Sequence, residues 1–411
     1  MHIDILMLFV YYIIRNLLSH NSKTQGSDIV KKTTAILLLI IILLVPTMAT
    51  AADIQNNYDY IGLHDDFPEL VMARAQILDM LYEGEKAFGF PYQVFIAEIR
   101  SGPYRGETVR VENVLMDNPA MDMIINPGDR VILALEVTDN QIIAAHPQDF
   151  YREFYIYLLI GIFALLLLVI AHVKGLKAII ALGLTVFLIA SVMLPGILNG
   201  HDPLMLAIII SIIVTTITML LICGLNSKAV ASIIGTIGGV LVAALISIWI
   251  GYAAKLTGLS SQEAQMVMFA VNDIDFNFRN LLFAGIIIGA LGAVMDVAIS
   301  IASAMEEIKA NNPSISKAEL IKSGMNVGKD IAGTMTNTLI LAYTGTSIPL
   351  LLLFLAHDQS YIAIINMELI ATEVIRALSG SIGLVLAIPI TALVSAALMT
   401  RGSSSNKNQR S

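Results

Sequence analysis

The chain has 411 residues, of which 56% are hydrophobic and 14% charged, with a formal net charge of −8. So low a charge content excludes an ordinary soluble domain, where about a quarter of residues are charged, and no basic block points to nucleic acid. The single cysteine, Cys223, excludes a disulfide framework, and the seven histidines show no paired zinc spacing.

In chain order, Lys31 and Lys32 precede an apolar run over 35–45, Pro46, and the small-x-small site Ala49-Thr50-Ala51. This is the layout of a secretory signal peptide, or of an anchor if it is not cleaved. Residues 1–52 are therefore expected to be an N-terminal extension with that signal.

Residues 53–150 form the one long polar region. Short alternating runs at 71–77, 93–100, 108–114 and 130–136 are separated by Gly and Pro, as at Ser101-Gly102-Pro103 and Asn126-Pro127-Gly128-Asp129. The pattern predicts a small antiparallel β-barrel module, OB-like or SH3-like. It reads as a spacer, or as a partner-docking or ion-gathering module, the last through Asp65, Asp66 and Glu69.

Residues 151–400 hold seven windows long and apolar enough to cross about 30 Å of hydrocarbon. They lie at 154–172, 176–198, 203–223, 229–252, 281–304, 328–356 and 381–400. With the β module outside, ten Lys and Arg flank the cytoplasmic ends, among them Lys174, Lys177, Lys228, Lys309 and Lys329. Only Lys255, Arg279 and Arg376 fall in the external loops. This bias sets the orientation and makes residues 401–411 a disordered cytoplasmic tail. Segments 260–278 and 366–378 are expected to be interfacial helices, and 317–322 to begin a cytoplasmic helix that enters the sixth span. The fold class is thus a mainly α membrane protein: seven transmembrane helices plus the small external β module.

Polar groups concentrate in the fifth and sixth spans. An ionisable side chain in hydrocarbon costs roughly 2.5–3.5 kcal/mol on insertion scales, so Asp296 needs a partner or a polar path. Asp296, Ser300 and Ser303 share one helical face, continued by Glu306 or Glu307 at the cytoplasmic mouth. Asn326, Asp330, Thr334 and Asn337 share another. At 1.5 Å per residue, Asp296 and Asn337 both lie about 14 Å from the cytoplasmic ends and share a depth. Carboxylate, amide and hydroxyl oxygens suit Mg, Ca or Mn. The thioethers of Met295 and Met335 read as membrane packing first. The competing reading of Asp296 is a salt bridge to Lys329 or to an external arginine. Gly285, Gly289 and Gly292, with Gly235, Gly238 and Gly239, predict close helix packing. Pro389 is expected to free a backbone carbonyl within the last span.

Two stretches, GALGAVMDVAISIASAMEE over 289–307 and SGMNVGKDIAGTMTNTLILAY over 323–343, followed by TGTSIP over 344–349, resemble the signature of the YibE/F family of bacterial multi-span membrane proteins. The resemblance runs from about Tyr92 to Thr400. It implies a multi-pass protein of the bacterial cell membrane and carries over Asp296, Glu306, Glu307, Asp330 and Asn337 as motif positions. Divalent-metal export, of manganese in particular, has been proposed for some members. The expected function is a non-enzymatic permease exporting a divalent cation, with metal-site residues Asp296, Asn337, Asp330, Glu306, Glu307, Thr334 and Ser300. No cofactor is expected, and the cation is cargo. Expected partners are the lipid bilayer and a homo-oligomeric copy or second membrane subunit, with no nucleic acid. The alternative is a membrane scaffold whose β module recruits another component.

Overall fold

The computed structural model describes residues 69–85, 89–270, 276–356 and 360–400. The expected signal segment and C-terminal tail lie outside the described residues. The chain divides into two compact units, residues 54–170 and residues 1–53 with 171–411. The smaller unit runs past 150 and takes in the start of the first apolar helix.

In the smaller unit, five antiparallel strands run β1 (Glu69–Glu85), β2 (Pro91–Ile99), β3 (Thr108–Val114), β4 (Arg130–Thr138) and β5 (Gln141–Phe150). Their order is β3-β2-β1-β4-β5, an open, curled half-barrel. β1 is long enough to pair with both neighbours, and register shifts at Ile77/Asp79 and Met80/Tyr82 bend it. Alternation places Ala73, Ala75 and Ile77 inside with Phe95, Ala97, Ile99, Leu133 and Leu135. The closed OB-like or SH3-like barrel is thus met by a curled sheet. β5 went unforeseen. Its signal was Asp139-Asn140, both at positive φ, in a two-residue hairpin that pairs Thr138 with Gln141.

Among the described residues the apolar helices begin with α1 (Glu153–Leu188), which continues through a π turn (Ile189–Met193) into α2 (Leu194–Leu198). These 46 residues form one continuous apolar stretch, whose backbone leaves helical geometry at His172 (φ 50°, ψ −123°). Two spans were expected here. The parts on either side of His172, 153–171 and 173–198, are each long enough to cross about 30 Å at 1.5 Å per residue.

The remaining helices are α3 (Pro203–Cys223), α4 (Ser227–Ala253), α5 (Gln262–Ala270), α6 (Phe278–Asn311), α7 (Lys317–Thr346), α8 (Ile348–Ala356), α9 (Tyr361–Ile365) and α10 (Glu368–Thr400). Among the described residues, five stretches are long and apolar enough to cross a membrane, or six if α7 and α8, bent by 57°, form one span. The expected interfacial segment before the last span is continuous with it as α10. The helix expected from 317 runs without a break into the sixth span as α7 and is capped by Ser316 and Glu319 in a reciprocal capping box.

In the larger unit α6 is the central helix and packs against α3, α4, α7 and α10. α4 and α10 approach closely because glycines face each other. A Cβ built on Gly239 would lie 2.7 Å from the Gly383 carbonyl oxygen and 2.8 Å from Ala387 Cβ. The expectation of close packing at Gly235, Gly238 and Gly239 therefore holds. Polar ties join the helix ends. Asp202 caps α3 through Met205 N and accepts from Asn280 on α6. Glu368 at the start of α10 accepts from Thr257 N at 2.6 Å, Thr257 Oγ1 at 2.8 Å and Gly258 N at 3.2 Å.

Candidate functional site: a polar groove along α6 and α7

α6 is buried on most sides, and its apolar residues Phe283, Ile287, Val294, Ala298 and Ile301 form the unit's core. One narrow stripe stays exposed: Gly285, Gly289, Gly292, Asp296 and Ser300, then Glu307. The spacing of three and four residues keeps these positions on one face. A Cβ on Gly285 or Gly292 would meet nothing within 4 Å. Among the described residues, then, no helix packs against these two glycines, so the expected close packing is not met at them. Gly289 differs, since a side chain there would meet the Tyr343 hydroxyl of α7.

α7 packs against α6. Its Asn326, Asp330, Gly333, Thr334, Asn337 and Thr338 are all exposed. The antiparallel register follows from contacts at three heights: Gly324 is seated against Met305, Gly328 against Ile301, and Gly289 against Tyr343. Interpolation puts Asp296 level with 333–336 and within about one turn of Asn337. It puts Ser300 level with Asp330 in the same way. The two polar stripes therefore share their depths, as helix arithmetic predicted.

The side chains differ in what already holds them. Among the described residues, Asp296, Ser300, Asp330 and Asn337 have no hydrogen-bond or ion-pair partner. The alternative of a salt bridge to Asp296 is not realised: Arg376 pairs with Glu373 at 2.8 Å, and Arg279 donates to the Leu256 carbonyl at 2.6 Å. Thr334 donates to Ile331 O at 3.0 Å along its own helix, the usual occupation of a helical threonine. Glu306 is paired with Lys228 of α4 at 2.9 Å. Glu307 is exposed and accepts from Asn311 Nδ2 at 3.0 Å.

Met295 and Met335 pack against the apolar core, so neither thioether is a ready ligand. Pro389 sits inside an unbroken α10. The carbonyl it releases, four residues back at Val385, lies on an exposed part of that helix. No three His, Cys, Asp or Glu side chains come together to hold a metal ion among the described residues. The exposed stripes of α6 and α7 carry carboxylate, amide and hydroxyl oxygens at shared levels along the two helices.

Sequence reasoning missed a second polar cluster. Tyr343 and Glu373 line a cavity of about 240 Å³ between α7, α8 and α10, whose other walls are mostly apolar. Glu373 Oε2 is buried there without a partner. The signal was present in Glu373 and Arg376, one turn apart, but their direction depended on how α10 packs.

Comparison with known proteins gives one match: residues 159–401 match the family described as YibE/F-like protein. The match begins after the β sheet, whereas the resemblance had been expected from about Tyr92. No curated protein and no solved structure matches the chain.

Proposed function

The chain belongs to the YibE/F-like family, and from that premise we propose that it is a membrane permease that exports a divalent metal cation, manganese first, along the groove between α6 and α7. The observation that carries this reading is Asp296. It is a carboxylate in the middle of an apolar helix, on that helix's exposed stripe, with no partner among the described residues. Facing hydrocarbon would cost it several kcal/mol, so its face has to meet water, a cation or another protein surface.

In this reading Asp296, with Asn337, Ser300 and Thr334, forms the mid-depth station. Asp330 and Glu307 gather cation nearer the mouth. Glu306 contributes field there but is already neutralised by Lys228. An oxygen-only set with few carboxylates suits a hard cation held loosely enough to leave. The groove is open along one side among the described residues, so a second copy or a second membrane subunit would close the path. Transport involves no covalent step and no resident cofactor. The orientation follows the charge bias: a bacterial cell membrane, residues 53–150 outside and the C-terminus cytoplasmic, with seven crossings if the stretch through His172 counts as two. The end-to-end ties support a common side for the residues so assigned, since Lys228 meets Glu306 at one end and Thr257 meets Glu368 at the other.

The test is total-metal content of cells with and without the protein, challenged with Mn, Fe, Zn, Co and Mg, alongside Asp296→Asn. One metal accumulating both without the protein and with the variant supports export through the groove. Unchanged metal content in every case sinks it. A second reading, a scaffold that recruits a partner through the β module, is favoured by the exposed apolar side chains Leu70, Met72, Leu78 and Leu81 on β1. Deletion of 53–149 separates the two: lost function with Asp296 dispensable favours the scaffold.

A further inference from the structure

Four arginines of the β unit converge on one cavity of about 490 Å³: Arg74, Arg100, Arg105 and Arg130, with Gln76 and Tyr151 completing the lining. Their approach is built by strand pairing. Gln76 of β1 lies opposite Arg130 of β4. The Arg100 backbone, at the end of β2, donates to Arg74 O at 2.7 Å, and Tyr151 N donates to Arg130 O at 2.9 Å. Arg105 enters from the turn after β2, whose Gly106 N returns to Ile99 O at 2.8 Å.

Charge at this cavity is not balanced among the described residues. Arg74 pairs with Glu153 at 2.7 Å and Arg100 with Glu98 at 2.9 Å. Arg105 and Arg130 are exposed and have no carboxylate or side-chain hydrogen-bond partner among the described residues. Like charges gathered this way repel, and a planar guanidinium fork is the side chain best matched to a tetrahedral oxyanion. Two further contacts hold the site in shape: Arg100 Nη2 donates to Gln76 Oε1 at 2.9 Å, and Arg74 stacks 5.6 Å over the Tyr151 ring.

The position of the cavity narrows the ligand. Glu153, bound to Arg74, is the first residue of α1. Phe154, Tyr155 and Tyr157 follow at once, all exposed, and then an apolar stretch in which Leu159 is 69% and Ile170 77% exposed. Aromatic side chains at the start of an apolar helix mark the headgroup level of a bilayer. Residues 153–170 and the cavity belong to the same compact unit. We propose that this arginine cavity binds a phosphate-class oxyanion at the membrane surface, supplied either by an anionic phospholipid headgroup or by free inorganic phosphate. The proposal is independent of the groove on α6 and α7.

The test uses the full chain, purified in mild detergent, as wild type, as the double variant Arg105→Gln/Arg130→Gln, and as the control Arg110→Gln. Arg110 pairs with Glu112 on β3, away from the cavity. The double variant removes no side-chain hydrogen bond or ion pair found among the described residues, and circular dichroism confirms that it is folded. Native mass spectrometry measures retention of phosphatidylglycerol against phosphatidylcholine, and thermal melting in inorganic phosphate against chloride measures the free anion. A lipid site gives preferential phosphatidylglycerol retention that falls about thirtyfold in the double variant, at about fivefold per arginine, and stays intact in the control. A free-anion site gives a phosphate-dependent rise in melting temperature in wild type and control only, without lipid preference. Equal behaviour of all three proteins with both probes, or an equal loss in the control, overturns the proposal.

Discussion

Lys228 Nζ of α4 lies 2.9 Å from Glu306 Oε2 of α6, an ion pair that ties the two helices together. It splits two neighbouring carboxylates into different roles. Glu306 is neutralised by a fixed cation, whereas Glu307 is exposed beside Asn311. Glu307→Gln is therefore expected to slow cation transport more than Glu306→Gln, measured as initial rates in proteoliposomes at low salt. A larger effect of Glu306→Gln would mean that Lys228 releases it in the working protein.

Asp296 is the side chain whose charge the groove has to justify. Asp296→Asn keeps the shape and removes the charge, so insertion and melting temperature are expected to stay close to wild type while transport is lost. Asp296→Ala is expected to insert at least as well as wild type, because about 2.5–3.5 kcal/mol of insertion cost disappears. Normal transport by either variant rules Asp296 out as the cation ligand.

The glycines divide into two kinds, which substitution separates. Gly239→Val forces a side chain against the Gly383 carbonyl and Val294. Overpacking of this kind costs about 1–3 kcal/mol or more, and backbone on the far side gives way less readily than a flexible side chain. Loss of folded protein on size exclusion is expected. Gly292→Leu points into open space. It is expected to fold normally yet slow transport, because the side chain fills the groove. Normal transport by a folded Gly292→Leu would show that the path runs elsewhere.

Glu368 holds the Thr257 loop through three bonds to one carboxylate oxygen. Glu368→Ala leaves those donors to water, since Thr257 is exposed. The expected loss is about 1 kcal/mol, seen as a lower melting temperature in detergent and faster hydrogen exchange at 256–259. Wild-type protection there would show that the loop is held by its own turn.

Hydropathy and helix period alone located most of what matters. The apolar windows became helices because a 20-residue apolar stretch has few other ways to satisfy its backbone out of water. The α6–α7 register was legible because both helices are regular and joined by a short connection, so counting residues is measuring distance. The β strands were legible where apolar residues alternate, and β5 was missed because its His146, Pro147 and Gln148 blur the pattern.

Tertiary packing decided which face each residue presents, and this no count along the chain supplies. Two glycine-rich helices carry similar motifs, yet Gly239 is pressed against a carbonyl and Gly292 opens onto a groove. Two adjacent glutamates read alike, yet one meets a lysine from another helix. The arginines of the β cavity are separated by up to 56 positions, from 74 to 130, and only strand pairing brings them together. Periodicity is a property of one element, set by local backbone geometry. Partnership is a property of two, set by which faces exclude water together.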